Sequence, residues 1–380
     1  MTQHRALAAA IEISPLFEPH WSGIPSVVAE LTAQALGDPV TDWLFLYQNV
    51  IIPRDLVELL LLRSSGEGLV PRLAELAMNM RPITADDARR RSCIWTNIKS
   101  MAGDFRREAV IIYDISTLLT PEFHNQDTID YHCNRLLHDC ETSDHIFCIS
   151  QASRDDVIAY LNITPDRTSV LPMGVSLDKA MLYRECERRR TIKAEPYIVI
   201  LGTVEPRKNG AAIIELLLRQ PDLLADHRLV FIGRDGWLDE MQIMRQRLTK
   251  AGISDDKILF TGYVSQETKL RLMLHCSFTI YPSFFEGFGL PVLESTVLGK
   301  ICVTSSSSSL REVAPDQSLF FDPTDIGSLG RAVKQALAVT GDGDVSQPSF
   351  YDIMQNASNH GWARAYDRIR AWLEAEGEVS

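Results

Sequence analysis

Short apolar runs alternate with amphipathic stretches along nearly the whole chain. In the first half, 6–13, 43–52, 109–115, 145–149 and 169–171 have the length and apolar character of buried strands, whereas 25–36, 56–62, 128–140 and 153–161 repeat apolar residues at helical spacing. Alternation of this kind requires parallel strands joined by crossover helices, a doubly wound α/β sheet. The charge run 184–193, Arg-Glu-Cys-Glu-Arg-Arg-Arg-Thr-Ile-Lys, breaks the rhythm and reads as a linker. Beyond it the pattern restarts, with strands predicted at 197–201, 228–232, 257–260, 278–281, 301–304 and 319–321. The helices between them begin near 210 and cover 238–251, 266–274, the residues up to 298, and 326–338. A Gly- and Pro-containing stretch, 340–348, precedes a terminal helix, 356–375.

The predicted fold class is therefore α/β: two facing doubly wound, Rossmann-like parallel-sheet domains, 1–190 and 191–355, with a terminal segment 356–380 crossing back onto the first. A chain of 380 residues is long enough for two cores, and a ligand would lie in the cleft between them.

Composition narrows the function classes. Hydrophobic content of 45% with 23% charged residues is that of a globular protein. The 38 basic residues against 50 acidic, a net charge of −12, exclude a broad nucleic-acid-tracking surface while allowing a local basic pocket. With no apolar stretch of membrane-spanning length and no apolar leader after Met1, a cytoplasmic location is the expectation. The seven cysteines include no C-x-x-C pair and read as reduced, buried thiols. His132, Cys133, His138, Cys140, His145 and Cys148 lack zinc-type spacing, and Asp342-Gly-Asp344 sits in a turn-rich stretch, so no metal is expected.

Candidate chemistry concentrates in Ser283-Phe-Phe-Glu286-Gly-Phe-Gly-Leu-Pro-Val-Leu-Glu294. A strand that breaks at Pro282 and restarts as a helix at Pro291 leaves the amides of Phe288, Gly289 and Leu290 unpaired at a helix start, an anion site. Glu286 then lies in the loop and Glu294 on the helix, both able to accept hydrogen bonds from hydroxyls. Gly202-Thr-Val-Glu-Pro-Arg207-Lys208-Asn209 closes a strand and opens a helix that Asn209 is placed to cap, and its adjacent cations suit a diphosphate. Gly23 follows the first strand, Tyr113 and Asp114 end another, and Tyr263 and Val264 could wall a flat base; each is equally compatible with an ordinary turn or cap. The polar run 305–309 reads as a loop whose hydroxyls either face the cleft or remain flexible.

These motifs resemble a retaining GT-B glycosyltransferase of glycosyltransferase family 4. The resemblance rests on Glu286 to Glu294, on the Arg207-Lys208-Asn209 turn, on Gly262-Tyr-Val264, on Ser309-Leu-Arg-Glu312-Val, and on Leu118-Leu-Thr-Pro-Glu-Phe-His124, the last similar to bacterial mannosyltransferases of surface-polysaccharide and lipopolysaccharide assembly. It implies that Arg207 and Lys208 hold the donor diphosphate, Glu294 the ribose, Glu286 the transferred sugar, and the amides of Phe288 to Leu290 both sugar and phosphate. Gly23 would be the first domain's phosphate-side loop, and Tyr113 with Asp114 the acceptor or sugar side, although Tyr113 stands where many members carry His. The implied reaction moves a sugar, best matched by mannose from GDP-mannose, to a saccharide or lipid-linked saccharide, with no cofactor or metal. UDP-glucose, GDP-fucose and dTDP-rhamnose are alternative donors, and a catalytically silent nucleotide-sugar-binding subunit is the alternative of another class. Apolar-plus-basic stretches at 56–63, 71–80 and 89–91 suit peripheral contact with the inner membrane face, or equally a core helix and a solvated turn.

Overall fold

A computed structural model describes residues 7–19, 21, 23–63, 80–99, 104–189, 196–254, 256–341 and 348–375. The chain divides into two compact units, one of Met1–Ile115, Asp130–Gly174 and Trp362–Ser380, the other of Ser116–Ile129 and Val175–Gly361.

The first unit is built on β1 (Leu7–Glu12), β2 (Thr41–Tyr47), β3 (Val50–Ile52), β4 (Ser92–Trp95), β5 (Arg107–Ile112), β6 (His145–Cys148) and β7 (Thr168–Val170), in the order β3-β2-β1-β4-β5-β6-β7. Neighbours are parallel except β2 and β3. The expected single strand 43–52 is a hairpin, turning at Gln48, whose φ of 55° puts it in the left-handed region. Strand β4 was not predicted. Its four residues are all buried between β1 and β5, and an apolar run as short as Cys93-Ile94-Trp95 carries no readable periodicity.

Of the basic stretches, Arg89 and Arg90 are exposed, whereas Arg91 pairs with Asp42 at 2.5 Å. Helix Arg54–Arg63 buries Val57 and Leu60 and leaves Leu59 and Leu62 exposed. Residues 71–79 lie outside the described residues. Among the described residues, no helix is long and apolar enough to cross a membrane.

The second unit holds β8 (Tyr197–Leu201), β9 (Arg228–Ile232), β10 (Ile258–Phe260), β11 (Thr279–Tyr281), β12 (Cys302–Ser305) and β13 (Leu319–Phe321), in the order β10-β9-β8-β11-β12-β13 with parallel neighbours. Ile198 and Ile200 of β8 face one apolar core and Val199 the other, so both faces of the sheet are covered. Strand order reverses between β8 and β11, the point where an open α/β sheet separates its carboxyl-edge loops. The loops 202–209 and 282–289 follow these two neighbouring strands.

Three further segments depart from the sequence-based expectation. The charge run expected as a linker is helical through Arg189: helix Lys179–Arg189 buries Leu182 and Cys186, one turn apart, among residues of the second unit's core. Charged residues on the remaining face masked that apolar stripe. Next, Ser116–Ile129 packs with the second unit: the Phe123 ring stacks on Phe284 at 5.0 Å and 5°, and Trp237 Nε1 donates to the Phe123 carbonyl at 2.7 Å. Last, the expected terminal helix 356–375 is two helices, Phe350–Ser358 and Ala363–Glu374, separated around His360 and Gly361. The earlier one buries Ile353 and Ala357 in the second unit, and the later one joins the first unit, where Trp43 Nε1 donates to Tyr366 Oη at 2.9 Å.

Candidate functional site

The loop after β8 and the loop after β11 are tied together because their strands are neighbours. The Phe284 amide donates to the Arg207 carbonyl at 2.9 Å, and Arg207 Nη1 donates to the Phe285 carbonyl at 3.0 Å. Asn209 completes the join from its side chain, whose Nδ2 donates to the carbonyls of Pro282 and Pro323, each at 3.1 Å. Asn209 therefore sits at the start of helix Gly210–Arg219 without capping it, contrary to the expectation, since its amide is used across the sheet edge and its φ is 54°. The turn after β8 also demands Gly233, because a Cβ there would lie 1.9 Å from the Gly202 carbonyl oxygen.

Inside this join, four charged side chains meet. Lys208 Nζ donates to both oxygens of Glu286, at 2.6 and 2.7 Å, and to Tyr281 Oη at 3.1 Å. Arg207 Nη2 pairs with Glu205 at 2.9 Å and Nη1 lies 3.5 Å from Glu286. Both carboxylates are buried, Glu205 at 3% and Glu286 at 5% exposure. Burial pushes the Glu286 carboxyl up, but the charges of Lys208 and Arg207, with the hydrogen bonds from Lys208, outweigh it and hold the group below the usual carboxylate range. For Glu205 burial prevails over the same two cations, helped by the nearby Glu286, and its carboxyl is raised. Burial, then the Glu286 charge, drives the Tyr281 phenol well above its ordinary value. The cluster thus holds two carboxylates against two cations, and the cations retain a narrow exposure of 14% for Arg207 and 19% for Lys208.

Beside the cluster, Gly289 starts helix Leu290–Val297 at a φ of 101°, a conformation that favours glycine. The amides of Phe288, Gly289 and Leu290 donate to no acceptor among the described residues, as expected for a helix N-terminus. Glu294, on that helix, is held by Lys269 Nζ at 2.6 Å. The sequence reading brought Arg207, Lys208, Glu286 and the Phe288-to-Leu290 turn together. It missed Glu205, Tyr281 and Lys269. Glu205 could have been noticed from its position two residues before Arg207; Tyr281 and Lys269 carry no local signal.

The remaining candidates lie elsewhere on the two sheets. Tyr263 is 44% exposed beyond β10, where the Gly233 amide donates to the Gly262 carbonyl, and Val264 packs partly into the core. Gly23, Tyr113 and Asp114 belong to the first unit. Gly23 takes a φ of 61° ahead of helix Ile24–Gly37. Tyr113 follows β5 with its hydroxyl buried and without a hydrogen-bond partner among the described residues, and burial, then the neighbouring Glu12, raises that phenol. Asp342 and Asp344 lie outside the described residues.

Comparison with known proteins gives this geometry a context. Residues 184–341, which lie within the second unit, match the family described as Glycosyl transferases group 1. The chain is 30% identical over 236 residues to the O-antigen chain mannosyltransferase B of Escherichia coli, 61% of either chain. It is 28% identical over 234 residues to the serotype-specific mannosyltransferase WbdA of the same species, of which it spans 29%. The chain thus covers less than two thirds of these relatives. Among solved structures, Anabaena Alr3699/HepE in complex with UDP and glucose superposes with a TM-score of 0.68 at 14% identity, over 97% of this chain and 100% of that one. WaaG, a glycosyltransferase involved in lipopolysaccharide biosynthesis, superposes with a TM-score of 0.62 at 12% identity, over 95% and 98%. The fold is GT-B.

Proposed function

We propose that this chain is a retaining glycosyltransferase that moves a sugar, mannose from GDP-mannose in the favoured reading, to a saccharide or lipid-linked saccharide of surface-polysaccharide assembly. The observation that carries the reading is the meeting of Arg207, Lys208 and Glu286 next to three unpaired amides at a helix N-terminus. The mannosyltransferase relatives support the choice of sugar.

In the proposed reaction the bond between the sugar's anomeric carbon and the diphosphate oxygen breaks, and the electron pair departs on that oxygen. Arg207, Lys208 and the amides of Phe288 to Leu290 stabilise the charge that develops there. The acceptor hydroxyl oxygen bonds to the same face of the anomeric carbon, and its proton passes to the leaving phosphate. Glu286 accepts hydrogen bonds from the sugar's hydroxyls and Glu294 from the ribose, with Tyr263 and Val264 beside the base. Tyr113 and Asp114 serve the acceptor or sugar side, and the Gly23 turn the phosphate side of the donor. No side chain acts as a covalent nucleophile and no metal is required.

The test is release of nucleoside diphosphate from GDP-mannose, UDP-glucose, GDP-fucose and dTDP-rhamnose, each in excess EDTA. GDP-mannose is expected to turn over fastest and EDTA to change nothing. Absence of release from every donor overturns the reading, and loss under EDTA restored by Mg²⁺ or Mn²⁺ brings a cation into the mechanism. Within that assay, Arg207→Ala should lower kcat/KM by about ten- to a hundredfold, the range for losing charge-assisted hydrogen bonds to the diphosphate. Native kinetics in that variant would remove Arg207 from the site.

A further inference from the structure

The turn that bears Glu286 is gripped by three serines at the end of β12 and just beyond it. Ser305 Oγ donates to the Ser283 carbonyl at 2.6 Å. Ser308 Oγ accepts from the Glu286 amide at 2.8 Å and donates to the Glu286 carbonyl at 2.9 Å, so one hydroxyl satisfies both backbone groups of that residue. Ser309 Oγ lies 2.8 Å from the carbonyls of both Glu286 and Phe288, and its single proton is shared between them.

Two features mark this grip as more than loop packing. Ser309 occupies the N-cap of helix Leu310–Val313, where a serine ordinarily caps its own helix, yet its side chain makes no cap bond. Ser308, a non-glycine residue, sits at a φ of 43°, a left-handed conformation that costs free energy unless its surroundings hold it. A cap is forgone and strain is tolerated, and both hydroxyls go to the same short turn.

Resting on the glycosyl-transfer reading, we propose that Ser308 and Ser309 are positioning residues for the transferred sugar: by holding the Glu286 backbone they fix where its carboxylate points. The side chains assigned to the diphosphate and the ribose, Arg207 and Lys208 and then Glu294, make no hydrogen bond to either serine. The serines therefore act on recognition of the sugar and leave recognition of the nucleotide untouched.

The experiment compares the native protein with Ser308→Gly and Ser309→Ala. It measures steady-state turnover of GDP-mannose, or of whichever panel donor the native protein uses, calorimetric affinity for the matching nucleoside diphosphate, and Tm. Ser308→Gly is informative because glycine relieves the left-handed strain, which offsets part of the cost of leaving the Glu286 amide without its acceptor, so this variant still folds. Each variant is expected to lose about ten- to a hundredfold in kcat/KM for the sugar nucleotide, keep nucleoside diphosphate affinity within about twofold, and, for Ser308→Gly, unfold cooperatively with a Tm near the native value. A merely structural loop predicts native turnover in Ser308→Gly, and that result overturns the proposal. A matching loss of nucleoside diphosphate affinity in both variants overturns it too, since the effect would then not be confined to the sugar. A native protein that neither binds nor turns over any panel donor removes the glycosyl-transfer reading itself, and the serine assignment falls with it.

Discussion

Glu286→Gln is expected to lower kcat for transfer by about 10²–10³-fold while leaving affinity for the free nucleoside diphosphate unchanged or slightly tighter. The substitution keeps the side chain's shape and removes its charge. In the native cluster that charge faces Lys208 at 2.6 Å and Arg207 at 3.5 Å, with only 5% of the residue exposed. Its loss leaves Glu205 as the only carboxylate of the cluster against the same two cations, so the local potential becomes more positive. A diphosphate would gain from that change. The transferred sugar, which develops positive character as the leaving group departs, would lose. The two effects separate kcat from nucleotide affinity, which a general disruption of the turn would not do. Steady-state kinetics with calorimetry of nucleoside diphosphate binding checks the prediction, and a kcat within about threefold of native would take Glu286 out of the chemistry.

The second large effect is on stability and concerns the first unit. Glu12 ends β1 at 3% exposure, and burial, only partly opposed by hydrogen bonds from Ser14, Gln48 and Thr96, raises its carboxyl from 4.5 to about 7. Between those values the folded state binds the proton and the unfolded state has released it, so raising pH costs folding free energy. Stability should fall across pH 4.5 to about 7 and level off above, by about 3 kcal/mol if this group acts alone. Glu12→Gln should flatten that contribution. Denaturant unfolding of both proteins at several pH values in this window isolates it by difference, and parallel pH slopes would refute it.

What was legible in the sequence, and what was not, follows from the range of the interactions. Strand β13 was read as 319–321 and found as Leu319–Phe321, because a short apolar run followed by Asp322 and Pro323 is punctuated locally. Strand β8 was equally plain. The meeting of Arg207 and Lys208 with Glu286 followed once both loops were assigned to strand ends of one sheet, since a doubly wound topology brings such loops to one edge. By contrast, nothing in Ser92 to Trp95 distinguishes a central strand from a loop, because its stability comes from β1 and β5 on either side. The hydroxyl directions of Ser308 and Ser309, the pairing of Glu294 with Lys269, and the stacking of Phe123 on Phe284 depend on contacts between residues far apart in sequence. Composition and spacing carry no record of them. Asn209 shows the same limit at close range: its residue type suits a cap, and the neighbouring loop claimed its amide instead.

The separation of helix Ala363–Glu374 from its neighbour Phe350–Ser358 bears on how this protein is made. In the first unit, Trp43 donates its indole hydrogen bond to Tyr366, 323 residues later, and the Arg107 guanidinium lies 4.4 Å from the centre of the Trp372 ring. During synthesis, the first-unit segments within residues 1–174 leave the ribosome before these partners do, so the early sheet waits with part of its surface uncovered while Val175–Gly361 is translated. The second unit needs no such late arrival, since its segments end at Gly361. Vectorial synthesis therefore supplies every segment of the second unit before helix Ala363–Glu374 can dock on the first.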